Sequence, residues 1–150
     1  MPQSLSRILV HIIFSTKNRK PLLQGQIRSE LYSYLASVLQ ECESPALKIG
    51  GTADHVHILC SLSKNYALAK VVEEFKKSSS KWLKTKGEAF QSFYWQNGYG
   101  GFSVSQWDTD VVIRYIEKQE EHHRRMTFQE EYRKFLEKYR IPYDERYVWD

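Results

Sequence analysis

What most constrains the fold of this chain is the order in which two hydrophobic periods follow one another along it. Residues 7–14, Arg-Ile-Leu-Val-His-Ile-Ile-Phe, are apolar and β-branched, the composition of a buried strand. The basic stretch from Thr16 to Lys20, followed by Pro21, ends it. Over residues 25–41 the period changes: Ile27, Leu31, Tyr34, Leu35, Val38 and Leu39 recur at helical spacing, and Pro45 closes the segment. Residues 46–52 and 55–62 read as two strands around Thr52-Ala53-Asp54, with a bend or bulge expected at Gly50-Gly51. A helix follows over 66–86, its apolar side formed by Leu68, Val71, Val72, Phe75 and Trp82, with Gly87 as the expected C-cap. The aromatic and glycine-rich passage from Phe93 to Val104 should form a loop feeding a short strand at about 102–105. Asp108 should cap a helix running to about residue 124, and Thr127 or a neighbour should cap another to about Tyr139, before a tail from Pro142.

The order strand, helix, strand, strand, helix, strand, helix, helix predicts an α+β fold. The expected form is a ferredoxin-like or RRM-like sandwich with a largely antiparallel sheet and helices on one face, plus C-terminal helices that carry Tyr115. A chain of 150 residues suffices for a single domain, 1–150, whose core needs no covalent staples. Cys42 and Cys60 have neither metal-ligand nor disulfide-framework spacing and are expected to be buried reduced thiols. No signal peptide and no apolar run of membrane-span length is visible, so the expectation is a cytoplasmic protein with no membrane partner.

The net charge of +4 is unevenly spread. Residues 1–24 carry Arg7, Lys17, Arg19 and Lys20 with no acid, and residues 64–86 carry seven lysines against Glu73 and Glu74. Such segregation suits a polyanionic partner, because clustered lysines neutralise phosphates and release counterions; a solvated helix face would look the same. The nucleic-acid-binding candidates are Lys17, Arg19, Lys20, Lys70, Lys76, Lys77 and Lys81. Tyr94, Trp95 and Phe102 are candidates for stacking on unpaired bases, set against an ordinary core role.

Chemistry concentrates in two motifs. In a strand, residues i and i+2 share a face, so the imidazoles of His55 and His57 can reach one metal ion. In a helix, residues i and i+4 share a face, so the Tyr115 hydroxyl and the Gln119 carboxamide lie side by side. Neutral imidazoles and an amide oxygen suit a borderline divalent ion, and composition does not choose among Mg²⁺, Mn²⁺ and Zn²⁺. A phenol titrating near pH 10 is a weak nucleophile unless a metal polarises the phosphate that it attacks. His122 and His123 are rivals to Gln119 as third ligand, or partners of His55 and His57 in a structural zinc site. The run Glu120 to Arg125 reads equally as a solvated helix end. His11, between apolar neighbours in the first strand, reads as a satisfied core histidine.

Together these motifs resemble the single-tyrosine transposases of the IS200/IS605 type, small members of the HUH endonuclease group. The resemblance covers most of the chain. It rests on His11-Ile12-Ile13-Phe14 followed by Lys17-Asn18-Arg19, and on Gly50-Gly51 ahead of Asp54-His55-Val56-His57-Ile58-Leu59. It continues through the helix from Val71 to Trp82, the passage Trp95-Gln96-Asn97-Gly98-Tyr99, and Tyr115-Ile116-Glu117-Lys118-Gln119. It implies that His55, His57 and Gln119 hold Mg²⁺ or Mn²⁺, and that Tyr115 attacks a phosphodiester in single-stranded DNA to leave a 5′-phosphotyrosine and a free 3′-hydroxyl. It also implies a homodimer that recognises hairpins at the ends of an element, with no small-molecule substrate. The alternative is a non-catalytic or domesticated nucleic-acid-binding protein, like the REP-associated tyrosine transposases or an RNA-binding sheet.

Overall fold

The computed structural model describes residues 2–150. Four strands, β1 (Leu9–Ser15), β2 (Ala46–Gly51), β3 (His55–Ser61) and β4 (Gly100–Val104), form one antiparallel sheet in the order β2-β3-β1-β4. Helices α1 (Gln26–Glu41) and α2 (Leu68–Leu83) make the two crossovers of a ferredoxin-like α+β sandwich. Three further helices, α3 (Thr109–Glu117), α4 (Gln119–His122) and α5 (Phe128–Lys138), complete the chain.

The two faces of the sheet follow from strand alternation. Val10, Ile12 and Phe14 of β1, with Val56, Ile58 and Cys60 of β3, face α1 and α2 and build the main core with Leu31, Leu35, Val71 and Phe75. The opposite face, Leu9, His11 and Ile13 with His55, His57 and Leu59, is covered by α3 and α5. The C-terminal helices therefore lie across the sheet from α1 and α2. Every histidine of the strands is on their side.

Several boundaries differ from the sequence expectation for identifiable reasons. The sheet irregularity in β2 falls between Ala46 and Lys48, whereas Gly50 and Gly51 stay paired with His57 and Val56. Gly50 instead answers a close approach: a Cβ there would lie 2.6 Å from the Ile116 carbonyl oxygen and 2.8 Å from its Cγ2. Gly51, at φ +154°, opens the tight turn into β3. Helix α2 ends at Leu83, and Gly87 sits beyond it at φ +125°. Asp108 makes no side-chain capping bond; Ser105 Oγ accepts from Trp107 N and caps a short 3-10 turn ahead of α3. Thr127 does cap α5, its hydroxyl accepting from Glu130 N. Cys42 and Cys60 are free and buried. Among the described residues no helix is long and apolar enough to cross a membrane.

Gly50 gives a direct test of how the sheet locates α3. Gly50→Ala is expected to cost about 1–3 kcal/mol by overpacking, because one of the clashing atoms is backbone. Urea denaturation measures it, and a change below about 0.5 kcal/mol would mean that α3 is not seated on β2 as described.

A buried histidine and carboxylate centre

The centre forms where β3 starts, beneath the junction of α3 and α4. His55 and His57 are fully buried. Their side chains project from the same face because they stand two apart in a strand. Cross-strand neighbours orient them. His57 pairs with Ile13 on one side and Gly50 on the other, and His11, diagonal to it on β1, brings its Nε2 to 2.8 Å from His57 Nδ1. His55 Nδ1 lies 2.7 Å from Asp54 Oδ1, and Thr52 Oγ1 donates to the same carboxylate oxygen at 2.9 Å. Both imidazoles are thus anchored through Nδ1, leaving Nε2 of each to face the centre, the usual way a protein orients metal-binding histidines.

The expected single helix from 108 to 124 is broken. Lys118, at φ −98° and ψ 20°, separates α3 from α4. Across this kink Tyr115 and Gln119 remain on the sheet side: Gln119 is buried, and its Oε1 stands 2.7 Å from His55 Nε2. The Tyr115 ring lies 5.9 Å from that of His57 between centroids and stacks on His122 at 4.6 Å. The run after Gln119 divides by face. Glu120, Glu121, Arg124 and Arg125 are exposed, as a solvated helix end requires, while His122 and His123 turn inward. His123 lies 4.4 Å from His55, ring to ring.

At the middle stands a residue that the sequence reading missed. Glu131 of α5 is 1% exposed. Its Oε1 lies 3.0 Å from both His57 Nε2 and His123 Nε2, and 3.6 Å from His55 Nε2. Its Oε2 accepts from Gln119 Nε2 at 2.9 Å and from the Tyr115 hydroxyl. A signal existed. Phe128, Tyr132, Phe135 and Leu136 make the apolar stripe of α5, and Glu131 interrupts it as a charge in the middle of a buried face.

Protonation follows from these contacts. Burial holds His57 down to about 4, outweighing the raising effect of Glu131, so it is neutral at pH 7. Burial also works against the Glu131 carboxylate, but hydrogen bonds from His123 and His57 hold it ionised, well below the usual carboxyl range. Burial lowers His123, yet Glu131 more than compensates, and its pKa rises. Burial and the nearby Glu131 charge raise Tyr115, which keeps its phenolic proton. Neutral imidazoles, an amide oxygen and a carboxylate suit a divalent cation, and ligand atoms of His55, His57 and Glu131 all lie within 4.8 Å of one another.

These shifts fix the acid response of the metal-free protein. As pH falls below 6.5 the unfolded chain protonates its histidines while native His57 does not, so stability drops until about pH 4. His11, lowered well below 6.5 chiefly by burial, adds to the loss, Glu131, depressed from 4.5, extends it to lower pH, and His123, shifted upward, offsets part of it. A net loss of about 2–4 kcal/mol between pH 7 and pH 4 is expected from urea denaturation with chelator present. A flat profile would contradict these assignments.

The basic candidates scatter. Arg19 lines a cleft beside the centre with Asp54, His123, Arg124 and Arg125, while Lys17 and Lys20 are exposed next to it in sequence. Lys70, Lys77 and Lys81 are exposed on α2, across the sheet from the histidines, and Lys70 pairs with Glu74 at 2.9 Å. Lys76 is part of the fold: its Nζ donates to the Gln96 and Gly98 carbonyls, and burial lowers its pKa to about 8. Trp95 and Phe102 are buried in the two cores, which corrects their candidacy as stacking platforms; Tyr94 is 61% exposed.

Comparison with known proteins agrees with this architecture. The family model described as "Transposase IS200 like" matches residues 4–119. Among solved structures, a protein of Deinococcus radiodurans R1 described as a candidate transposase aligns with a TM-score of 0.62 at 20% identity, covering 79% of this chain and 98% of that one. A REP-associated tyrosine transposase bound to a REP hairpin aligns with a TM-score of 0.60 at 14% identity, covering 82% of this chain and 74% of the other. No curated protein sequence matches the chain.

Proposed function

The chain belongs to the family of IS200-like transposases, and from that membership we propose that it cuts and rejoins single-stranded DNA through a covalent bond to Tyr115. In this reading His55, His57 and Gln119 hold a divalent cation, Mg²⁺ or Mn²⁺. The single observation that carries it is the convergence of two distant motifs: His55 Nε2 meets Gln119 Oε1 at 2.7 Å, with the Tyr115 ring beside His57. A binding protein has no need to set a half-buried tyrosine hydroxyl against a metal-type donor set.

The cation's contribution is to polarise the scissile phosphate and offset charge that develops on it. The other roles belong to side chains. Tyr115 Oη attacks phosphorus, the P–O3′ bond breaks, and the proton lost by the phenol is taken up overall by the 3′-oxygen, which leaves as a hydroxyl; a second 3′-hydroxyl later reverses the exchange, so the bond energy is kept. Asp54 and His11 keep His55 and His57 in one orientation through their Nδ1 atoms. Arg19, Arg124 and Arg125, in the mixed-charge cleft beside the centre, offer guanidinium groups to the backbone phosphates of the strand. Lys77 and Lys81 lie on the far side of the sheet, where they suit contact with a second segment such as a hairpin stem. Because Tyr115 reaches the histidines of its own chain, a homodimer would serve to hold two DNA ends rather than to complete the centre.

The test mixes the protein, Mn²⁺ and labelled single strands from either side of its gene, and follows label that migrates with protein on a denaturing gel. A metal-dependent adduct is expected. Cleavage without an adduct would point to water as nucleophile, and binding without cleavage to a nucleic-acid-binding module.

A further inference from the structure

We propose that Glu131 is a fourth protein ligand of the metal, so that α5, outside the span matched by the family model, is a working part of the centre. The inference rests on the metal site proposed above and adds a ligand from an element to which neither motif nor family match assigns a role.

The argument begins with charge. A buried carboxylate without a compensating cation is costly, and natural chains rarely retain one. Among the described residues, Glu131 has no lysine or arginine partner; its ion-pair partners are His55, His57 and His123. Two of these, His55 and His57, stand in the proposed ligand set, and His123 approaches the same oxygen from the neighbouring helix end. The apolar stripe of α5 would be better served by leucine at this position unless a positive charge is meant to share the space.

The geometry then says where that charge fits. Around a cation bound at about 2.1 Å, neighbouring ligands of an octahedral shell stand about 3.0 Å apart. Glu131 Oε1 is 3.0 Å from His57 Nε2 and 3.6 Å from His55 Nε2, and His55 Nε2 is 2.7 Å from Gln119 Oε1. Two imidazole nitrogens, an amide oxygen and a carboxylate oxygen thus follow one another at ligand-to-ligand spacing, and the nitrogens and the carboxylate oxygen all lie within 4.8 Å of one another. The second carboxylate oxygen is turned away, toward Gln119 Nε2 and the Tyr115 hydroxyl. One side chain thereby ties the nucleophile to the metal: Oε1 serves the ion and Oε2 holds the phenol. Tyr115 is positioned through Glu131 rather than by its own helix alone.

Metal binding itself is the readout. Mn²⁺ titration followed by the electron paramagnetic resonance of the free ion compares wild type with Glu131→Gln and with Glu130→Gln, an exposed carboxylate one residue away. Glu131→Gln should weaken Mn²⁺ binding at least tenfold, and Glu130→Gln should leave it unchanged. A second variant does not depend on the size of that loss. Glu131→Cys loaded with Co²⁺ should show a thiolate-to-cobalt charge-transfer band that wild type lacks, since Cys42 and Cys60 both lie in the core on the other face of the sheet. Wild-type affinity in Glu131→Gln, or no such band in a folded, Co²⁺-binding Glu131→Cys protein, would overturn the assignment while leaving the histidine site intact. Failure of wild type to bind Mn²⁺ at all would overturn both readings.

Discussion

Replacing Tyr115 by phenylalanine is expected to abolish the covalent protein–DNA adduct, a loss of at least about 10³-fold in strand cleavage, while hairpin binding stays near wild type. The change removes one oxygen and little else. The ring keeps its stack on His122 and its edge contact with Phe135 at 5.8 Å between centroids. Glu131 Oε2 loses the phenol but still accepts from Gln119 Nε2, so no buried acceptor is orphaned. The cost in stability is therefore confined to one charge-assisted hydrogen bond, about 1–3 kcal/mol. Nor does the hydroxyl face the exposed lysines of α2, which lie across the sheet. A denaturing gel reads the adduct and a native mobility shift reads binding. An adduct that persists would identify another nucleophile; loss of binding as severe as loss of cleavage would make Tyr115 a DNA contact.

The parts of this centre that could be read from sequence are those whose geometry is local. His55 and His57 share a face because they are two apart in a strand, and Tyr115 and Gln119 because they are four apart in a helix. Such spacings survive errors at element boundaries. The order of strands and helices carried the fold for the same reason, since each segment announces its own period. What could not be read depends on packing between distant elements. The break at Lys118 has neither proline nor glycine to mark it, and it comes about where α3 must meet the sheet over Gly50. Gly50 looked like a bulge, because a glycine that admits a neighbouring helix and one that bends a strand are the same letter.

Glu131 and His11 show this limit at the site itself. His11 was expected to be buried and hydrogen-bonded, and it is, but its partner is His57, chosen by the diagonal register of β1 on β3. Glu131 breaks the apolar stripe of α5, yet the break acquires a meaning only once α5 is known to lie over the histidines. Trp95 and Phe102 err in the other direction. An aromatic and glycine-rich passage resembles a stacking platform, whereas here Trp95 packs against Phe14 and donates from Nε1 to Ser79 Oγ at 3.0 Å, and Phe102 packs against Phe135.

The second large effect is expected at His57. His57→Ala should weaken Mn²⁺ binding about 100-fold or more, and adduct formation should fall with it at fixed metal concentration. Two things happen when this ring is removed, and they are separable. A cavity opens between Ile13 and Gly50, which costs a few kcal/mol and leaves His11 Nε2 without its partner. Independently, the centre loses a neutral nitrogen, so the Glu131 charge has one donor fewer and a cation one ligand fewer. Unfolding midpoints measured with chelator report the lost packing and hydrogen bonds without any contribution from metal. The second appears in the metal dependence: raising Mn²⁺ should restore part of the adduct in His57→Ala, because the nucleophile is intact, and none in Tyr115→Phe. A folded His57→Ala protein with wild-type Mn²⁺ affinity would show that the ion binds elsewhere. Partial rescue by metal in one variant and none in the other would separate the holding of the ion from the attack on phosphorus, which a single inactive variant cannot do.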